Sequence, residues 1–219
     1  MRLGRIMVRV KVCGITNYQD AAMAVALGVD ALGFIFAPSP RQIMPQKARE
    51  IIGAIPPFVK TVGVFVDERP EAIREIMLFC GLDLVQFHGD ESPELCEDFM
   101  PRSIKAFRIR DRSVLPSIRP YQGKIRAMLF DTYVEDRRGG TGKTFDWNMA
   151  VTAKAPGIPI ILSGGLAPSN IVRAISTVKP YAVDVNSGIE KSPGKKDHIL
   201  MKELMEKIKT LNNERNLNE

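Results

Sequence analysis

Ile158-Pro159-Ile160-Ile161-Leu162-Ser163-Gly164-Gly165-Leu166 is an apolar run that breaks on paired glycines, and Ala182-Val183-Asp184-Val185-Asn186-Ser187-Gly188-Ile189-Glu190 follows with a second apolar run and a second glycine turn. Each reads as a buried strand delivering a bare turn, where backbone N–H groups can reach a phosphate because glycine puts no side chain in the way. One such turn alone is no more than a tight corner. Two after consecutive strands decide between folds: an open doubly wound sheet places its phosphate turn after strand one, a (β/α)8 barrel after strands seven and eight. The number of strands upstream settles which applies.

Working back toward the start, buried-strand patterns fall at Val8 to Cys13, Ala31 to Phe36, Thr61 to Val66, Leu84 to Phe87, Ile104 to Ile109 and Ala127 to Phe130. With Ile158 to Leu162 and Ala182 to Val185 they make eight, without a composition break between them. Helix-start chemistry lies in between. Thr16 can cap a helix and Gln19 can reach back to it, while Pro45, Pro70, Pro93 (after Ser92) and Pro168 suit a first helical turn, where a missing N–H costs nothing. Helical spacing runs through Gln46 to Ile55, Glu71 to Cys80, Glu94 to Phe99 and Ser169 to Val178, and more weakly through Ser113 to Tyr121 and Trp147 to Ala155. A short helix is expected at Ser192-Pro193, and a last one from His198 to Leu211, with 212–219 as a polar, frayed tail. Eight βα units in 219 residues predict a single compact TIM barrel with its core at about 8–211.

Composition narrows the class. A chain of this length buries about 70% of the surface its unfolded form exposes. Hydrophobic residues at 45% and charged residues at 26% are ordinary soluble usage. No apolar run approaches the roughly 20 residues of a membrane span, and the basic start is interrupted by Arg5, Arg9 and Lys11. Cys13, Cys80 and Cys96 form no CxxC pair, which speaks for reduced thiols and against a disulfide framework or metal site. A cytoplasmic protein is expected. The net charge of +6 favours anionic partners without choosing among them.

Chemistry concentrates at the strand ends. Cys13 ends strand one, on the face where TIM-barrel active sites sit; burial is the ordinary fate of a lone cysteine, but a helix start and a basic site could favour its thiolate. Asp131 emerges in the same way from Met128-Leu129-Phe130, and its plain reading is a turn or cap. Together they supply what an acid/base isomerisation needs, one group to take a proton and one held protonated to give it. Arg41, in the loop after strand two, has the fork that grips a carboxylate, or is simply solvated. Gln86 and His88 alternate at the end of strand four and point into the mouth, as substrate contacts, if Phe87 faces the helices, though a satisfied structural histidine is an equal reading of His88. Asp184 can line the pocket or anchor Lys11, and the anchor is favoured. Gly142-Lys143-Thr144 tempts a P-loop reading that fails, because the glycine required five positions earlier is Arg137. The stretch from Arg137 to Trp147 reads better as a mobile lid or a loop whose glycines permit unusual backbone angles.

In this order, KVCGIT, LGFIF with SPRQI, VQFHGDE, LFDT, GGTGKTFDW, LSGGL and DVNSGIE with SPGKKD resemble the phosphoribosylanthranilate isomerase family, from about Val8 through Leu211. The resemblance implies a compact TIM barrel that carries out an Amadori rearrangement in tryptophan biosynthesis without metal or organic cofactor, on a small anionic phosphorylated substrate. It implies Asp131 as general acid, Cys13 as general base and Arg41 on the anthranilate carboxylate. The backbone at Gly164, Gly165, Ser187 and Gly188 would hold the phosphate. Asn186 stands where the family more often has Ser, and Met7 offers a second start.

Two other readings stay open. The histidine-pathway sugar isomerase performs an analogous step on a related barrel, but places an aspartate where this chain has Cys13. A nucleic-acid-binding protein would use the positive charge, yet the basic residues are scattered without a binding motif. Neither a nucleic acid nor a membrane is expected as partner, and the oligomeric state is left undetermined.

Overall fold

The computed structural model describes residues 7–109, 115–131, 147–152 and 157–217. Eight strands run parallel: β1 (Arg9–Val12), β2 (Ala31–Ile35), β3 (Lys60–Phe65), β4 (Leu84–Phe87), β5 (Ser103–Arg108), β6 (Ala127–Asp131), β7 (Ile160–Ser163) and β8 (Ala182–Val185). They pair in chain order, and β8 closes back on β1 with Lys11 opposite Asp184. This is a TIM barrel, the fold expected from the strand count.

Strand alternation sorts the side chains into two layers. Val10, Val12, Leu32, Phe34, Val85, Phe87, Met128, Phe130, Leu162, Val183 and Val185 face outward and pack under the helices. The inward positions are mostly smaller, with Val62, Ala106, Ala127, Leu129, Ile161 and Ala182 filling the interior. Lys11, Gln86 and Asp184 share that interior, each buried. Phe87 does face the helices, edge-on to Phe99 at 5.4 Å between ring centroids. Gln86 and His88 therefore take the inner side.

Proline opens α2 (Pro45–Gly53), α3 (Pro70–Cys80) and α4 (Pro93–Glu97), as read from the sequence. The cap of α1 (Tyr18–Ala26) is Asn17 instead of Thr16: its side chain accepts from the Asp20 N–H, while the Thr16 hydroxyl donates to the Gly194 carbonyl. Weaker helical spacing becomes α5 (Leu115–Ile118), followed by a 3-10 turn at Arg119–Tyr121, and α6 (Trp147–Thr152). Pro168 lies in the turn before α7 (Ile171–Val178), where the Asn170 side chain accepts from the Ala167 N–H. At Ser192-Pro193 there is no helix but a two-stranded antiparallel ribbon, β9 (Glu190–Ser192) with β10 (Lys195–Lys196), turned by Gly194 at φ +79°. The last helix, α8 (His198–Leu217), continues past Leu211. Met201, Leu204, Met205 and Ile208 make its buried stripe, and the Asn212 side chain both accepts from the Val8 N–H at 3.1 Å and donates to the Val8 carbonyl at 3.3 Å. Those two bonds explain why the helix runs on where a frayed tail was expected. Among the described residues no helix is long and apolar enough to cross a membrane.

Candidate active site

The C-terminal ends of β1, β4, β6 and β8 bring Cys13, His88, Asp131 and Asn186 to one mouth. Cys13 is 5% exposed, and its sulfur rests where Gly33 of β2 has no side chain: a Cβ there would lie 2.7 Å from Sγ and 3.0 Å from Lys11 Cε. Burial pushes the Cys13 thiol up, Lys11 works against that, and the Asp184 carboxylate adds to the rise. The thiol therefore starts above its ordinary range, and the nearby cations only moderate the effect.

Lys11 is the junction. Its ammonium donates to Gln86 Oε1 at 2.8 Å and to Asp184 Oδ2 at 2.9 Å, crossing the interior from β1 to β4. Desolvation opposes its charge, but Asp184 and Cys13 outweigh that and hold its pKa above the usual lysine value. The anchoring role read for Asp184 is thus observed. From Gln86 the contacts continue to His88, Nε2 to Nδ1 at 2.9 Å, and from His88 Nε2 to Asp131 Oδ2 at 3.3 Å. A chain of polar contacts joins the neighbourhood of Cys13 to Asp131. A cavity of about 270 Å³ opens beside His88, lined also by Arg108 and Tyr121.

On the β8 side, Gly14 adopts φ +73°, and a Cβ there would meet Asn186 Oδ1 at 2.8 Å and Arg41 Cδ at 3.0 Å. The glycine after Cys13 therefore lets the β2 and β8 loops close over the strand end. Arg41 lies against Glu190, with Nε 3.0 Å from each carboxylate oxygen and Nη2 2.7 Å from Oε2. Lys196 completes the cluster at 3.0 Å from Glu190 Oε1 and 2.8 Å from Asn186 Oδ1. Burial alone would raise the Glu190 carboxyl, but Arg41 and Lys196 hold it below the usual range, while desolvation lowers Lys196. The Arg41 fork is real, and within the chain it already grips a carboxylate.

The two glycine turns meet. A Cβ on Gly188 would overlap the Leu166 carbonyl oxygen, so the turn after β8 packs directly on the turn after β7. Gly164 and Gly165 sit at φ +92° and +60°, and space beside Gly165 is open. Ser187 begins a single 3-10 turn, Ser187–Ile189.

Sequence reading missed three supports: the pair of Glu91 with Lys105, the bare strand position at Gly33, and Lys196. Glu91 is a buried acid that accepts from the Asp67 and Gly89 N–H groups and pairs with Lys105 at 3.0 Å. Lys105 also donates to the Gly89 carbonyl at 2.6 Å, and Tyr121 donates to the Glu91 carbonyl at 2.7 Å. This outer pair holds the segment that carries His88. An available signal was Lys105 on the outward phase of an apolar strand. Gly33 and Lys196 gave less warning, because their roles depend on contacts across the fold. The expected lid from Arg137 onward lies outside the described residues up to Trp147.

A closed parallel barrel with titratable groups and paired glycine turns at its C-terminal mouth defines the class of TIM-barrel enzymes. The family model described as N-(5'phosphoribosyl)anthranilate (PRA) isomerase matches residues 10–207. N-(5'-phosphoribosyl)anthranilate isomerase of Geobacter sulfurreducens is 50% identical over 204 residues, 93% of this chain and 99% of the relative. Phosphoribosyl anthranilate isomerase of Thermotoga maritima superposes with a TM-score of 0.86 at 44% identity, over 93% of this chain and all of that one. A phosphoribosyl anthranilate isomerase in complex with reduced 1-(o-carboxyphenylamino)-1-deoxyribulose 5-phosphate does so with 0.83 at 42%, again over 93% and 100%. The chain belongs to the phosphoribosylanthranilate isomerase family, and its activity is that isomerisation in tryptophan biosynthesis.

Proposed function

We propose that Cys13 and Asp131 divide the proton transfers of an Amadori rearrangement that turns N-(5'-phosphoribosyl)anthranilate into 1-(2-carboxyphenylamino)-1-deoxyribulose 5-phosphate. The supporting observation is that both groups stand on the inward phase at the C-terminal ends of β1 and β6, linked through Lys11, Gln86 and His88. Asp131, as general acid, gives its proton to the furanose ring oxygen as the C1–O bond breaks and the anilino nitrogen pair closes a C=N bond. Cys13, as the thiolate, takes the C2 proton, and the C–H electron pair forms the enolamine that tautomerises to the ketone. Lys11 opposes the cost of that buried thiolate charge.

In this reading Arg41 takes the anthranilate carboxylate, with Glu190 and Lys196 setting its orientation. The N–H groups at Gly164, Gly165, Ser187 and Gly188 take the phosphate, where the two packed turns offer closely spaced donors. The chain acts as one barrel unit in the cytoplasm, needing no cofactor.

Loss of phosphoribosylanthranilate fluorescence follows the reaction directly. Cys13→Ala and Asp131→Asn are each expected to lower kcat by at least about 10²–10⁴-fold with unchanged far-UV circular dichroism. Full activity in either variant would remove its assigned role. Turnover of the histidine-pathway substrate by the wild type, in place of this one, would reassign the substrate.

A further inference from the structure

The contacts from Lys11 to Asp131 have a direction, because their first member can only donate. An ammonium at 2.8 Å requires that Gln86 turn its carbonyl oxygen toward Lys11. The amide of Gln86 then faces His88 as an N–H donor at 2.9 Å, so His88 Nδ1 must accept. An imidazole that accepts at Nδ1 carries its proton on Nε2, and that N–H donates to Asp131 Oδ2 at 3.3 Å. Turning the Gln86 amide over would set N–H against ammonium at one end, which the buried site does not tolerate. The 4% exposure of the Lys11 and Asp184 side chains keeps water from relaxing that conflict.

We propose that Lys11 and Gln86 are positioning residues that lock His88 in its Nε2–H form and thereby aim a fixed hydrogen-bond donor at Asp131. The consequence for the acid is specific. With Oδ2 accepting from His88, the carboxylate left after transfer to the substrate keeps its His88 donor. This inference rests on the assignment of Asp131 as the acid only for its effect on turnover; the tautomer itself is independent of it.

The chain contains two histidines, His88 and His198, which makes the test direct. Protein labelled with ¹⁵N-histidine is examined by long-range ¹H–¹⁵N correlation at a pH of about 8.5, above the usual histidine range, and His88→Gln assigns the signals. The wild type is expected to show His88 with an unprotonated Nδ1 and a protonated Nε2. In Gln86→Glu a carboxylate accepts from both neighbours, so the His88 proton should move to Nδ1 or the ring become imidazolium, with kcat down about tenfold or more and KM little changed. Gln86→Met, a milder change in shape, should leave a mixture of tautomers and serves if the glutamate variant fails to fold. An Nδ1–H signal in the wild type, or wild-type spectra in both Gln86 variants, would overturn the inference. The Nε2–H signal together with full activity in Asp131→Asn would instead overturn the acid assignment.

Discussion

Two buried lysine–carboxylate pairs flank the sheet, one inside it and one outside, and they are finished to different degrees. Outside, both carboxylate oxygens of Glu91 are partnered, by Lys105 and by the Asp67 and Gly89 N–H groups, and the lysine also reaches the Gly89 carbonyl. Inside, Lys11 and Asp184 are incomplete, since Asp184 Oδ1 has no hydrogen-bond partner among the described residues and the lysine shares its charge with Gln86 and Cys13. The outer pair pins the loops after β3 and β4. The inner pair lies beside Cys13, and the proposed catalytic use of that thiol is what would set the two pairs apart.

The sharpest break of this comparison is to remove each cation in turn. Lys11→Met should cut kcat at neutral pH by about 10²-fold or more, because the proposed thiolate base loses the cation that most favours its charge and each unit of thiol pKa costs about tenfold. Lys105→Met should instead act mainly on folding, lowering unfolding free energy by about 3–5 kcal/mol, read by urea titration, with a smaller loss of kcat in the folded protein than Lys11→Met. Similar kcat losses in the two variants would erase the distinction. Next in size, Gly188→Ala drives a methyl group into the Leu166 carbonyl and should cost about 1–3 kcal/mol together with a raised KM, measured by denaturation and initial rates. An unchanged KM would separate the packed turns from phosphate binding.

A smaller effect is expected on pH. Because burial raises the Cys13 thiol and the proposed base acts as the thiolate, kcat/KM should climb as pH rises from neutrality, and in Lys11→Met that limb should move further toward alkaline pH. Glu190 has the opposite sign. Its carboxyl lies below the usual 4.5, so the stability from Arg41 and Lys196 is present above that value and is lost only as pH falls through the lowered one. Smallest of all is Cys96→Ala: burial pushes that thiol up to about 12, far from any role as a base, and initial rates should match the wild type.

The barrel was legible in the sequence because strand patterns and their order are local properties. Cys13 and Asp131 could be placed at the mouth once the strands were counted, and Gln86 and His88 once Phe87 was assigned outward. The interior pairing of Lys11 with Asp184 was also foreseeable, since both are charged residues in apolar strands that the closing register makes neighbours. Contacts between distant loops were not legible. That Arg41 would already hold Glu190, that Gly33 would receive the Cys13 sulfur, and that Asn17 would outcompete Thr16 as a cap depend on distances that only the folded chain sets. Ser192-Pro193 misled for a local reason: a proline after a serine marks a helix start, but it fits the turn of a hairpin equally well.

The double hydrogen bond between Asn212 and Val8 leaves the two ends of the barrel as neighbours. Such adjacency makes the order of the units a choice of starting point on a ring: a short linker across that junction, with fresh ends opened at the exposed Phe58 between α2 and β3, would spell the same cylinder from a different first letter.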